Sequence, residues 1–191
     1  AMKYFVLQNI FLHLPTISCI AKGTTVPFLI AQKMEIKEII LSALNEKLQG
    51  TETFLVDVKI SHSKIAVFVD NPTGLKLEDC AEISRFLEAK PELEAIFVTR
   101  ELEVSSPGME EPLKVFRQYE KRIGQEVSVL KKDGIRQNGT LKSAGEKEIV
   151  IVETKRFKGA GKSTFQTFDH TIPFSDIKET KVVFNFNKIL H

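Results

Sequence analysis

Leu102-Glu103-Val104-Ser105-Ser106-Pro107-Gly108-Met109-Glu110-Glu111-Pro112-Leu113-Lys114 reads as a strand that runs into a turn. Apolar and polar residues alternate up to Val104, and a Ser-Ser-Pro-Gly run and a second proline follow. The chain changes sign there. Residues 1–112 carry 11 Lys and Arg against 16 Asp and Glu, a balance of −5, whereas residues 113–191 carry 16 against 9, or +7. The overall net charge of +2 hides that polarity. An acidic part joined by a proline-stiffened turn to a basic part predicts two domains, 34–112 and 113–191. Ser105, Ser106, Pro107, Gly108 and Pro112 would form the interdomain hinge, and the basic domain is suited to polyanions.

Domains of roughly 80 residues bury only about 60–65% of their extended-chain surface, so extra stability is often drawn from disulfides, a metal or a partner. The cysteine count argues against the first two. Cys19 and Cys80 lie 61 positions apart, and neither has a second Cys or a His at metal-ligand spacing. They read as reduced thiols of a cytoplasmic protein, with Cys80 a small buried residue on a helix. A hydrophobic content of 42% with 27% charged residues describes an ordered globular chain rather than a disordered one.

Residues 1–33 fit that pattern poorly and read as an atypical N-terminal extension. Ala1 before Met2 has the look of an expression scar. The apolar run that follows is broken by Gln8, Asn9, His13 and Pro15, well short of the roughly 20 residues a membrane span needs. Two readings stay open: a weak secretory signal, or upstream sequence with the biological start at Met34.

From Met34 the apolar residues Ile36, Ile40, Leu44 and Leu48 recur every four positions and predict a helix stopped at Gln49-Gly50. Residues 53–60 and 64–70 alternate around Ser61-His62-Ser63 and predict an antiparallel hairpin. After the Asn71-Pro72-Thr73-Gly74 turn, Leu77, Cys80, Ile83 and Leu87 form the apolar stripe of a second helix, which Pro91 is expected to close. Residues 95–104 then read as a strand. The order helix, strand, strand, helix, strand predicts an α+β sandwich-like domain with both helices on one sheet face. Past the hinge, residues 113–123 read as a short basic helix. Short strands are expected at 127–130, 139–141, 148–152, 165–168 and 182–186, separated by glycine-bearing turns. Five close-spaced strands predict a small SH3-like or OB-like barrel.

Gly159-Ala160-Gly161-Lys162-Ser163-Thr164 imitates the end of a nucleotide-binding P-loop, but Arg156 stands where the pattern needs its first glycine. The segment also leads into Phe165-Gln166-Thr167-Phe168, which reads as a strand, whereas a P-loop requires a helix N-terminus facing the phosphates. A hairpin loop carrying Lys155, Arg156, Lys158 and Lys162 around Phe157 is the better reading, and it is suited to phosphate contact. The four histidines sit in unrelated contexts, and no nucleophile–base constellation can be assembled, so no catalytic residue, cofactor or metal site is expected. His170, beside Asp169, reads as part of a capped turn, and Glu78, Asp79 and Glu82 as the solvated start of a helix.

Several of these segments together resemble the ribosome maturation factor RimP family. They are Val67-Phe68-Val69-Asp70 with Gly74 and Leu77 to Ser84, Leu102-Glu103-Val104-Ser105-Ser106-Pro107-Gly108 with Pro112-Leu113, and Gly139-Thr140-Leu141 with Ile172-Pro173-Phe174-Ser175-Asp176-Ile177 and Lys178. The resemblance covers about residues 34 to 185, in family order. It implies an α+β N-terminal domain, an Sm- or SH3-like C-terminal barrel, binding to the maturing small ribosomal subunit, and no enzymatic activity. One departure stands out: the family usually carries an acidic-basic pair after Ser-Pro-Gly-Leu, and this chain has Met109-Glu110-Glu111. No contact through a cation at position 111 is open to it.

The resulting expectation is a monomeric, cytoplasmic, non-catalytic assembly factor with no membrane or small-molecule partner. Lys131, Lys132, Arg136, Lys142, Lys155, Arg156, Lys158 and Lys162 would contact rRNA phosphates, which positions the factor without reading sequence. The acidic domain would attract a basic ribosomal protein. The alternative is a general RNA-binding β-barrel protein not specific to ribosomes.

Overall fold

The computed structural model describes residues 25–158 and 163–184, with side chains placed for 33–157 and 164–184. The chain divides into two compact units, Ala1–Glu35 and Ile36–His191. Of the first, the described part is the opening of helix α1, Thr25–Leu48. This helix starts nine residues before the expected Met34. Pro27 falls in its first turn, where a missing N–H leaves no bond unmade.

In the second unit α1 leads into strands β1, Phe54–Ile60, and β2, Lys64–Asp70. Helices α2, Leu77–Glu88, and α3, Pro91–Phe97, follow, and then strand β3, Glu101–Ser105. The sheet order is β1-β2-β3, with β1 antiparallel and β3 parallel to β2. A parallel neighbour needs a crossover, and the two helices supply it. Helix α2 ends at Glu88, before Pro91 as expected, but Pro91 also starts the next helix. It sits at the first position of α3 and begins a helix, so residues 95–97 are helical and the strand is confined to Glu101–Ser105. The N-terminal part thus runs helix, strand, strand, helix, helix, strand.

One core joins Ile36, Ile40, Ala43 and Leu44 of α1, Ile83 and Leu87 of α2, Leu93 of α3, and Val58, Ile65, Val67 and Val69 of the sheet. The helices lie on one sheet face, as the pattern implied. A bulge between Leu55 and Asp57 shifts the phase of β1. Antiparallel residues paired across the ladder share a face. Leu55, paired with Val69, and Val58, paired with Val67, therefore face the helices. Phe54, paired with Asp70, and Asp57, paired with Phe68, face the other way. The extra residue splits what looks in sequence like one apolar stripe between two surfaces.

The C-terminal part is a short helix α4, Phe116–Lys121, followed by β4, Glu126–Lys131, β5, Arg136–Ala144, β6, Glu148–Lys158, and β7, Ser163–Pro173. A 3-10 turn at Phe174–Asp176 and β8, Ile177–Val182, complete it. These strands form one antiparallel sheet in the order β7-β6-β5-β4-β8 around Val127, Val129, Leu141, Ile149, Ile151 and Ile172, with Tyr119 of α4 packed edge-on to Phe174 at 5.1 Å. Among the described residues β7 and β8 remain the sheet edges, and no pairing closes a barrel. The fifth strand lies at Ile177–Val182, earlier than the expected 182–186; residues 185–191 are outside the described part.

Gly139 is where this sheet most needs a glycine. A Cβ there would lie 2.6 Å from the Val152 carbonyl oxygen and 3.0 Å from its carbonyl carbon, so β5 and β6 approach backbone to backbone. No helix of the described residues is long and apolar enough to cross a membrane.

Candidate nucleic-acid interface

The expected RNA-contacting cations fall on two hairpins of the five-stranded sheet. Lys131 ends β4, Lys132 follows it in the turn, and Arg136 opens β5. The turn is held by the Lys132 N–H donating to the Asp176 carbonyl at 2.8 Å and the Ile135 N–H donating to Asp133 Oδ1 at 2.9 Å. Arg136 donates to the Ser128 hydroxyl at 3.1 Å. The second group, Lys155, Arg156 and Lys158, lies on β6 where it pairs with β7. Lys142 stands apart from both, at the bulge of β5 between Leu141 and Ser143, and forms an ion pair with Asp169 of β7 at 2.5 Å. The side chain of Lys158, and Lys162 with the rest of 159–162, lie outside the described residues. The P-loop lookalike is flanked by two paired strands, with Lys158 opposite Ser163, and not by a helix.

The β6–β7 hairpin carries a face pattern set by its register. Glu153, Lys155 and Phe157 share one face with Phe168 and His170, whereas Arg156 and Phe165 share the other. Lys155 pairs with Glu153 at 3.1 Å and stands 5.8 Å from the centre of the Phe168 ring; the Arg156 guanidinium is 5.9 Å from that of Phe165. Glu153 also meets His170 Nε2 at 3.1 Å. The Lys155 hydrogen bond, aided by His170 and both charges, outweighs desolvation and holds the Glu153 carboxyl below its usual range. His170 is thus a strand residue facing a carboxylate, not part of a capped turn: the pairing of β7 with β6 runs unbroken through it. Exposed ion pairs of this kind contribute little to stability, so a phosphate can replace either carboxylate at small cost.

A second set of charges, at residues not expected to form a site, ties the acidic and basic parts of the chain together. Lys121 of α4 reaches Asp70 Oδ1 and the Asn71 carbonyl, both at 2.8 Å, with the Asp70 side chain only 9% exposed. Lys114 pairs with Asp57, and the Arg117 guanidinium lies 5.4 Å from the Phe54 ring centre. Partial burial alone would raise the Asp57 carboxyl. The Lys114 hydrogen bond and charge, the Val58 N–H and Lys37 outweigh it and hold the group below its usual value. Phe54, Asp57 and Asp70 all lie on the sheet face opposite the helices. The signal available in sequence was a carboxylate in each apolar run, Asp57 inside β1 and Asp70 at the end of β2.

The segment between the two parts is anchored at both ends. Ser105 closes β3, the Glu111 N–H donates to the Gly108 carbonyl at 3.0 Å in a turn, and beyond Pro112 the Leu113 N–H donates to the Thr180 carbonyl of β8 at 2.8 Å. Ser106, Pro107 and Gly108 line a cavity of about 190 Å³ with Asp70, Lys121 and Arg122. Glu111 stands 3.9 Å from Lys59. Cys80 is a half-buried free thiol, its pKa pushed up by burial and by Asp79, while Cys19 lies outside the described residues. Asp79 accepts the Lys76 N–H at 3.1 Å at the start of α2, and Glu82 pairs with Lys47 at 3.4 Å. No three His, Cys, Asp or Glu side chains converge as a metal site among the described residues.

The model of the RimP N-terminal domain matches residues 43–110, from within α1 to the turn after β3. The ribosome maturation factor RimP of Cytophaga hutchinsonii is 40% identical over 127 residues, which cover 63% of this chain and 74% of that protein. The ribosome maturation factor RimP of two Porphyromonas gingivalis strains is 34% identical over 146 residues, or 75% of this chain and 95% of theirs. This chain belongs to the RimP family. Of the eight expected cations, the structure brings Lys131, Lys132 and Arg136 together at one hairpin and Lys155, Arg156 and Lys158 at another, and keeps Lys142 separate.

Proposed function

We propose that this RimP-family chain is a non-catalytic ribosome maturation factor that docks on the immature small ribosomal subunit through its basic C-terminal domain. The observation that carries the reading is the placement of its cations at two hairpins of one sheet, in the part of the chain whose balance is +7. Phosphate contacts of this kind give affinity and orientation without sequence readout. The five-stranded sheet is taken as an SH3-like or Sm-like barrel presenting both hairpins to rRNA. The segment from Ser105 to Pro112 acts as the link that fixes the barrel against the N-terminal domain, and the acidic N-terminal domain is held off RNA and drawn to a basic ribosomal-protein tail. Maturation then follows from binding one arrangement of rRNA and protein better than another, the single way a bound factor can shift that equilibrium.

The test is removal of charge. Lys131→Ala with Lys132→Ala and Arg136→Ala should weaken binding to free small subunits and lower the slope of log K against log salt by about 0.7 to 0.9 for each phosphate no longer neutralised. An unchanged slope would exclude this hairpin from the interface. The rival reading, a general RNA-binding barrel, predicts that free RNA competes with subunits on equal terms.

A further inference from the structure

Beyond residue 152, β6 pairs with β7 alone among the described residues, because the pairing of β5 with β6 stops at Thr140 opposite Val152. The rest of the hairpin is a two-stranded ribbon. Three of its residues are phenylalanines in water: Phe165 is 67% exposed, Phe157 45% and Phe168 39%. Single exposed apolar residues need no explanation, but three rings on one short ribbon do. Their surroundings identify what they suit. The sequence from residue 154 to 168 contains four Lys and Arg and no Asp or Glu, and Arg156 and Lys155 stand beside the rings of Phe165 and Phe168.

We propose that the β6–β7 ribbon is a stacking surface for unpaired bases of ribosomal RNA, with Phe165 on one face and Phe157 and Phe168 on the other meeting base faces while Lys155 and Arg156 hold adjoining phosphates. The inference rests on the reading that the C-terminal domain meets rRNA, and adds that the RNA it grips is single-stranded. Charge complementarity selects this occupant. A basic protein tail would be repelled by the ribbon, and an RNA duplex keeps its base faces stacked inside, so a single strand alone offers both π-faces and phosphates to alternating rings and cations. Phe157 and Phe168 meet edge to face, with centres 6.5 Å apart and planes at 63°, and therefore present two differently inclined surfaces rather than one stacked pair.

The test uses the full chain with Phe165→Leu, and separately with Phe157→Leu and Phe168→Leu together, against labelled decauridylate and a ten-base-pair RNA duplex over a range of salt. Leucine keeps the apolar bulk and removes the ring. Stacking predicts that each variant loses several-fold to about a hundredfold in affinity for decauridylate, with its salt slope and its duplex binding unchanged and its far-ultraviolet spectrum native. Lys155→Ala should instead lower the salt slope for both probes. Equal losses on the two probes, or retention of decauridylate affinity by the leucine variants, would overturn the stacking assignment. Docking on subunits is read separately. A parent chain that fails to sediment with small subunits, yet loses decauridylate affinity on Phe→Leu exchange, contradicts the docking and supports the stacking.

Discussion

Gly139 and Gly108 both belong to segments that carry the family resemblance, and the structure gives them opposite status. At Gly139 an added Cβ meets backbone, the Val152 carbonyl, which cannot step aside without parting β5 from β6. At Gly108 the nearest atom to an added Cβ is Glu111 Cγ at 3.6 Å, an ordinary contact, and Gly108 is not among the glycines with positive φ. The Pro107-Gly108 turn therefore does not require a glycine for its backbone; what holds the turn is the Glu111 N–H to Gly108 carbonyl bond. Gly139→Ala should destabilise the C-terminal sheet by about 1–3 kcal/mol, the usual cost of overpacking, whereas Gly108→Ala should fall within about 0.5 kcal/mol of the parent. Urea unfolding followed by circular dichroism distinguishes them. Equal effects would show that the close approach at Gly139 costs an alanine nothing. Neither outcome was legible in sequence, because a glycine's role depends on what lies across from it and not on its neighbours in the chain.

Among the elements, the strongly periodic ones were legible: the Ile36, Ile40 and Leu44 stripe of α1, the β1–β2 hairpin, and the Leu77 to Leu87 helix. The failures have physical causes. Pro91 followed by an acidic turn is as good a helix start as a helix stop, and tertiary packing of Leu93 decides for the start. The bulge in β1 is silent in sequence, yet it turns Phe54 and Asp57 to the face where α4 and the linking segment lie, so the contacts of Lys114, Arg117 and Lys121 could not be foreseen. The Lys121–Asp70 pair is the most enclosed of these. Lys121→Ala would leave the Asp70 carboxylate buried with its counter-charge gone, and should cost about 3 kcal/mol, at the low end for stranding one charge of a buried pair. Asp70→Asn combined with Lys121→Met should recover most of that stability, since neither charge then remains. A Lys121→Ala midpoint in urea equal to that of the parent would show that the pair contributes nothing to holding α4 against the sheet.

At the scale of the whole molecule the reversal of charge near Pro112 was the clearest signal in the sequence, and the structure gives it form. The carboxylates of the first sheet bind Lys121 of α4 and, just before that helix, Lys114, while the hairpin cations are carried on β4, β5 and β6 of the second sheet. What composition could not convey is the placement of those cations on two separate hairpins, nor the ring-bearing ribbon, because both depend on register across β4, β5, β6 and β7. The central claim is that this surface docks on the small subunit. Its most direct test is sedimentation of the full chain through sucrose gradients with free small subunits and with whole ribosomes, at low and at moderate salt. The account predicts comigration with free small subunits, little with whole ribosomes, and an affinity that falls steeply as salt rises, about 0.7 to 0.9 in log K per log salt for each phosphate contacted. Equal comigration with whole ribosomes, or binding to free subunits that salt leaves unchanged, would contradict it.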